Sequence, residues 1–236
     1  MDGVYCWGGS KSSEFVMTVA IRPSLPHDLV TGVDTVVFDV VGTLLEPAPS
    51  VSEAYKNSAE KFGCIFPARE IAQRFAIAWE KQETLDAQNK PAFKTSKSRE
   101  YERWRQIVCD VFDDSPNADK IFDDLWLHFG KPSSWQPVEQ GCRLLETVRE
   151  SGIGVAVASN FDERLLPLAK QIEPLISIEN IFASSELGWR KPAPQFFQAV
   201  ESRLQKEPEQ MLLVGDDPRL DIAAANAAGW KSMRIG

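Results

Sequence analysis

Val33-Asp34-Thr35-Val36-Val37-Phe38-Asp39-Val40-Val41-Gly42-Thr43-Leu44-Leu45 sets how the rest of the chain is understood. Its first half is short, β-branched and almost continuously apolar, which suits a parallel strand buried on both faces. Asp39 closes that strand. Comparable runs recur at 154–160, 181–184, 211–215 (ending in Asp216-Asp217) and 231–235. Between them lie segments of helical length at 139–151, 163–171, 194–205 and 219–228. Strands alternating with helices imply βαβ crossovers, and so a Rossmann-like parallel sheet with helices on both faces, an α/β fold.

Residues 47–136 break the alternation. Four helices are predicted there, over 51–62, 68–88, 98–112 and 118–129, separated by Gly63/Pro67, Lys90/Pro91 and Ser115/Pro116. Phe75, Trp79, Trp104, Phe122, Trp126 and Phe129 recur at helical spacing, the mark of a bundle core. The expected organisation is an irregular or disordered tail over 1–31, an α/β core formed by 32–46 and 137–236, and an all-helical cap over 47–136 inserted into it. The tail is Gly/Ser/Pro-punctuated and reads equally as an upstream extension preceding Met17.

Composition narrows the function. Of the 236 residues, 43% are hydrophobic and 25% charged, as in an ordinary globular chain long enough to bury its own core. The net charge of −8 argues against nucleic acid or an anionic membrane as partner. Cys6, Cys64, Cys109 and Cys142 form no CxxC pair and read as reduced, buried thiols of an intracellular protein. His27 and His128 are too few for a His-rich zinc site. No run approaches the roughly 20 apolar residues of a membrane span, and the N-terminus lacks a signal peptide's apolar stretch. A cytoplasmic protein is expected.

In an open parallel sheet, ligands bind beyond the carboxyl ends of the strands. The predicted ends carry Asp39, then Ser159 and Asn160, then Asp216 and Asp217, with Asp221 shortly after; Lys191 follows the weaker third strand. Carboxylates gathered at one point raise one another's pKa unless compensated. A lysine and a divalent cation are the natural compensation, and oxygen-only ligation completed by water and substrate phosphate describes Mg2+.

Asp39-Val40-Val41-Gly42-Thr43-Leu44, Ser159-Asn160, Lys191-Pro192 and Gly215-Asp216-Asp217 with Asp221 resemble, in order, the four motifs of the haloacid dehalogenase (HAD) superfamily over residues 33–236. The insertion resembles the helical cap of its subfamily I. The stretches 159–165, 98–104 and 131–135 are similar to a branch of REG-2-like, haloacid dehalogenase-like hydrolase domain-containing proteins. This resemblance implies Asp39 as nucleophile, forming an aspartyl phosphate. It implies magnesium held by Asp39, Asp216 and the backbone carbonyl of Val41. Ser159, with Asn160 beside it, would hold a phosphoryl oxygen, and Lys191 would neutralise developing charge. Asp217 and Asp221 are left as a third ligand and a support for Lys191 or the metal, in either order, with Thr43 as a further supporting group.

Position 41 departs from the pattern. The superfamily's phosphatases carry a second Asp there, which protonates the leaving group and later activates water; Val41 does neither. Loss of a positioned acid–base costs about 10²–10⁴ in rate. The reading is therefore a phosphatase for a small phosphorylated metabolite, slow or selective for leaving groups already stable as anions. One alternative is 2-haloacid dehalogenation, which Val41 suits and the Asp216-Asp217 pair does not, since acids repel a substrate carboxylate. Another is a catalytically weak binding or regulatory protein. Within the cap, Tyr55, Arg74, Arg99, Tyr101, Trp104 and Arg105 are the candidates for reading the substrate, each arginine being equally suited to an ion pair on a helix face.

Overall fold

The run 35–38 forms the central strand because both of its faces are covered. A computed structural model describes residues 26–236. In chain order its strands are β1 (Thr35–Phe38), β2 (Leu45–Pro47), β3 (Trp135–Pro137), β4 (Gly154–Ser159), β5 (Asn180–Ala183), β6 (Met211–Gly215) and β7 (Lys231–Arg234). Five strands make one parallel sheet in the order β5-β4-β1-β6-β7, with Phe38 in register with Val157 on one side and Val214 on the other.

Side chains alternate across that sheet. Val36, Phe38, Val157, Leu212 and Val214 point to one face and pack with Leu144, Leu145 and Val148 of α6 (Glu139–Glu150) and Leu165 and Leu168 of α7 (Leu165–Ala169). Val37, Ala156, Ala158 and Leu213 point to the other and meet Phe196, Phe197 and Val200 of α9 (Pro194–Leu204), with Ala225 of α10 (Ala224–Ala227). A short helix, α8 (Ser184–Leu187), follows β5.

The inserted segment folds as α2 (Val51–Lys61), α3 (Ala68–Gln88), α4 (Lys97–Val111) and α5 (Ala118–Phe129) around Tyr55, Ile71, Ile107, Phe112 and Phe122. Ser50 and Ser96 cap α2 and α4, accepting the amides of Glu53 and Arg99. The chain enters and leaves this bundle through an antiparallel ribbon, Leu45 opposite Pro137 and Pro47 opposite Trp135, which the sequence did not signal. A second junction joins bundle and core: Lys94 bridges Trp189, Thr95 donates to the Gly188 carbonyl at 2.9 Å, and Arg190 donates to that of Phe93 at 3.0 Å.

Three expectations need correction. The expected irregular tail includes a helical turn, α1 (His27–Val30), whose Val30 packs on the core; residues 1–25, and Cys6 with them, lie outside the described residues. The helix expected over 219–228 is instead a wide π turn, Pro218–Ala223, leading into α10. Cys64, Cys109 and Cys142 are free but only half-buried: Cys64 packs at the edge of the bundle core in the loop after α2, and Cys109 and Cys142 lie on half-exposed faces of α4 and α6.

Candidate functional site

Three neighbouring strands deliver the site, because β4, β1 and β6 end side by side. Beyond β1 the chain turns at once: the Val40 carbonyl accepts the amides of Thr43, Leu44 and Leu45 at 3.2, 2.9 and 2.8 Å. The turn needs Gly42, at φ +81°, and a Cβ there would stand 2.5 Å from Asp216 Oδ2. The loop is thus folded onto Asp216, whose Oδ1 accepts the buried Thr43 hydroxyl at 3.3 Å.

Asp39 is 6% exposed and Lys191 is 2% exposed. Lys191 Nζ donates to Asp39 Oδ1 at 2.6 Å and also to Asp221 Oδ1. Burial pushes the Asp39 carboxyl up to about 7, against the pull of the Lys191 ammonium and with the push of Asp221. The hydroxyl of Ser159, also buried, favours the charged form of Asp39. Burial alone would lower the Lys191 pKa, but Asp39 and Asp221 outweigh it and hold the ammonium firmly charged. Burial and Asp221 raise Asp216 above the ordinary carboxylate range.

The two acids that the motif left unordered separate here. Asp221 is buried and reaches Lys191, while its Oδ2 accepts the Asp217 amide at 3.1 Å. Asp217 turns away and caps the π turn, taking the amides of Arg219 and Leu220 at 2.7 and 2.8 Å. Asn160 is a clamp on the backbone of Lys191: its amide nitrogen donates to the Lys191 carbonyl at 3.0 Å and its oxygen accepts the Lys191 amide at 2.8 Å. That geometry makes it a positioning residue.

Asp39, Asp216 and Asp221 each offer an oxygen within 4.8 Å of the others. With Gly42 seated against Asp216, this is a preformed oxygen-donor cluster, and its chemistry fits a hard cation such as magnesium. Asp39 and Asp216 are free to hold it; Asp221 already has both oxygens engaged.

Beside the cluster opens a cavity of about 500 Å³ between the four-helix bundle and the sheet, with Val41 and Asn160 in its wall. Of the bundle residues proposed as substrate readers, Tyr55 and Trp104 line it. Tyr101 packs edge-on against Phe122 and Trp126 outside the lining. The arginines are spent on ion pairs: Arg74 with Glu70, Asp113 and Asp114, Arg99 with Asp86, and Arg105 with Asp119 and Glu102. Sequence reasoning missed Arg164 and Asp162 in the same wall; an Asp-x-Arg just after the Ser-Asn motif was the available signal. It missed Arg103 and Arg190 too, both fully buried among Glu83, Asp86 and Glu100.

A family model described as haloacid dehalogenase-like hydrolase matches residues 33–229. The chain is 28% identical over 204 residues to the haloacid dehalogenase-like hydrolase domain-containing protein 3 of Bos taurus, covering 84% of this chain and 80% of that one. It is 30% identical over 216 residues to the Rhythmically expressed gene 2 protein of Drosophila melanogaster (85% and 82% covered). A ribulose-1,5-bisphosphate 5-phosphatase of Halopiger xanaduensis matches at 26% over 206 residues (84% and 82%). Among solved structures, the HAD-hydrolase YfnB of Bacillus subtilis, bound to magnesium, shares the fold with a TM-score of 0.66 at 18% identity (86% and 88% covered). The defluorinating L-2-haloacid dehalogenase Rha0230 gives 0.66 at 20% (86% and 81%). Motif order, sheet topology and a match spanning most of the sequence agree, and the chain belongs to the haloacid dehalogenase-like hydrolases.

Proposed function

We propose that this hydrolase is a magnesium-dependent phosphatase of the cytoplasm, acting on a small phosphorylated molecule whose leaving group is stable as an anion. The observation that carries the reading is the buried cluster in which Lys191 bridges Asp39 and Asp221 while Asp216 stands beside them. A carboxylate paired with a charged lysine, two residues before Val41 in the cavity wall, is a nucleophile that can reach phosphorus. Asp39 attacks, the bond from phosphorus to the leaving oxygen breaks, and the Lys191 ammonium offsets the charge that develops. Ser159, at the end of the neighbouring strand, orients the phosphoryl group. Asn160 fixes the Lys191 loop and Asp221 keeps the ammonium aimed. Bound magnesium, held by Asp39 and Asp216, would supply polarisation of the phosphoryl group. Val41 presents methyl groups where an acid would otherwise protonate the leaving oxygen.

The test is phosphate release from matched acyl, aryl and alkyl phosphates, with magnesium and with chelator. Acyl and aryl phosphates are expected to turn over, only with magnesium and not in Asp39→Asn. Val41→Asp is expected to raise alkyl phosphate turnover by about 10²-fold or more. No release from any class, even in Val41→Asp, would overturn the reading and favour a binding or regulatory protein.

A second reading, 2-haloacid hydrolysis, is favoured by Val41 and the apolar cavity and opposed by the acidic cluster, which repels a substrate carboxylate. Chloride release from 2-chloropropionate in chelator would establish it.

A further inference from the structure

We infer that the leaving group is a phenolate whose ring carries no charged substituent, so that the substrate is an aryl phosphate monoester seated with its ring in the cavity and its phosphate on Asp39; the inference deepens the phosphatase reading and rests on it. The cavity's composition comes first. Its wall is built largely of rings, among them Trp79, Trp104, Trp126, Trp135 and Phe161. Its charged side chains and its one amide are already committed. Asn160 is bonded to the Lys191 backbone. Arg164 donates to Asp162 Oδ1 and Oδ2 at 2.7 and 2.6 Å and to the Trp126 carbonyl at 2.7 Å, with its guanidinium 3.5 Å from the Trp126 ring centroid. Among the described residues no lysine lines the cavity, so neither a second phosphate nor a carboxylate finds an uncommitted cation in that wall. A polyhydroxylated chain would leave most of its hydroxyls without partners, since beyond the Tyr55 hydroxyl and a few indole N–H groups the wall is apolar, which disfavours binding.

Size agrees. An apolar cavity of roughly 150 Å³ takes up benzene, and this one is about 500 Å³, room for a substituted or fused ring. Rings meeting at an edge or offset add attraction beyond area burial.

Position 41 points the same way from a separate observation. Val41 is in the wall, 37% exposed, two residues after Asp39. The departing oxygen, at the mouth of the cavity, meets no proton donor from that position. A phenol ionises near a pKa of about 10, whereas an alcohol is a far weaker acid, close to water, so a phenolate leaves without help and an alkoxide does not. In the reaction, an Asp39 carboxylate oxygen bonds to phosphorus as the bond from phosphorus to the aryl oxygen breaks. The electron pair leaves on the phenolate, which takes a proton from solvent. Water then attacks phosphorus, the bond to Asp39 breaks, and inorganic phosphate and the free carboxylate are restored.

The experiment compares 1-naphthyl phosphate, 4-carboxyphenyl phosphate and glycerol 3-phosphate in magnesium buffer. Binding of non-hydrolysable 1-naphthylphosphonate is followed separately through the fluorescence of the wall tryptophans. Expected are a KM for 1-naphthyl phosphate at least tenfold below that of the charged aryl ester, and saturable quenching by the phosphonate. Trp104→Ala should weaken both by tenfold or more. Ala76→Lys, at an exposed position of the wall, serves as the second variant should Trp104→Ala not fold. Equal KM values for all three esters, with phosphate released from each, would overturn the aromatic assignment and leave the phosphatase standing. Saturable quenching with no release from any ester would support the cavity assignment and remove the phosphatase.

Discussion

Gly42 shows how little freedom the site has. It holds φ at +81° and its absent Cβ leaves the space that Asp216 occupies. Alanine there must either strain the turn, at about 1–2 kcal/mol for the left-handed region, or push Asp216 aside. Gly42→Ala is expected to weaken magnesium binding at least tenfold by titration calorimetry while the circular dichroism spectrum stays native. The motif residues were legible in the sequence because each ends or follows a buried strand, where a polar side chain has to be explained. The partners of those residues were less legible. That Asp221 reaches Lys191 while Asp217 caps a turn depends on the π turn over Pro218–Ala223, and a wide turn has no periodicity that separates it from an ordinary helix. Arg99, Arg103 and Arg105 all sit in one charged helix, and spacing alone does not say which faces solvent and which is buried.

The helices that were read well, 68–88 and 118–129 to the residue, are long and bounded by Pro or Gly. The ribbon of β2 and β3 went unread because three-residue strands carry no pattern, and its halves lie some ninety residues apart. Between α3 and α4 lies a less expected feature, a buried ionic network. Arg190 donates to both Glu100 oxygens at 2.8 Å, Arg103 reaches Glu83 at 2.7 Å and Asp86 at 2.9 Å, and Arg219 reaches Glu83 at 2.9 Å. Removing one partner of a buried pair leaves the other uncompensated, at about 3–5 kcal/mol. Glu100→Ala is expected to lower Tm by roughly 6–20 °C, at about 2–4 °C per kcal/mol for a chain of this size. Burial would raise the Glu100 pKa, but Arg190 and its hydrogen bonds outweigh it and hold it low. Its stabilisation is therefore complete above the unfolded value of about 4.3 and is lost as pH falls through the lower folded value. Thermal melts from pH 3 to 7 should show that acid-side loss in the native protein and a flatter profile in Glu100→Ala.

Bundle and sheet are held together at the ribbon, at the junction where 93–95 meets 188–190 with the ionic network behind it, and where Arg164 reaches Trp126. Calorimetry of the native protein is expected to show one cooperative transition, since neither part can unfold without exposing charges of the other. A Glu83→Ala/Glu100→Ala variant should split it, the bundle melting first; a single unchanged transition would contradict that coupling. The same arrangement bears on how the helical insert can be exchanged between relatives. A graft cut at the ribbon respects the obvious seams, yet it would seat foreign α3 and α4 segments on Arg190 and Arg219, stranding two guanidinium groups, one of them buried next to Lys191. A working chimera must therefore move positions 83, 86 and 100 together with 190 and 219, so the heritable unit here is larger than the insert itself.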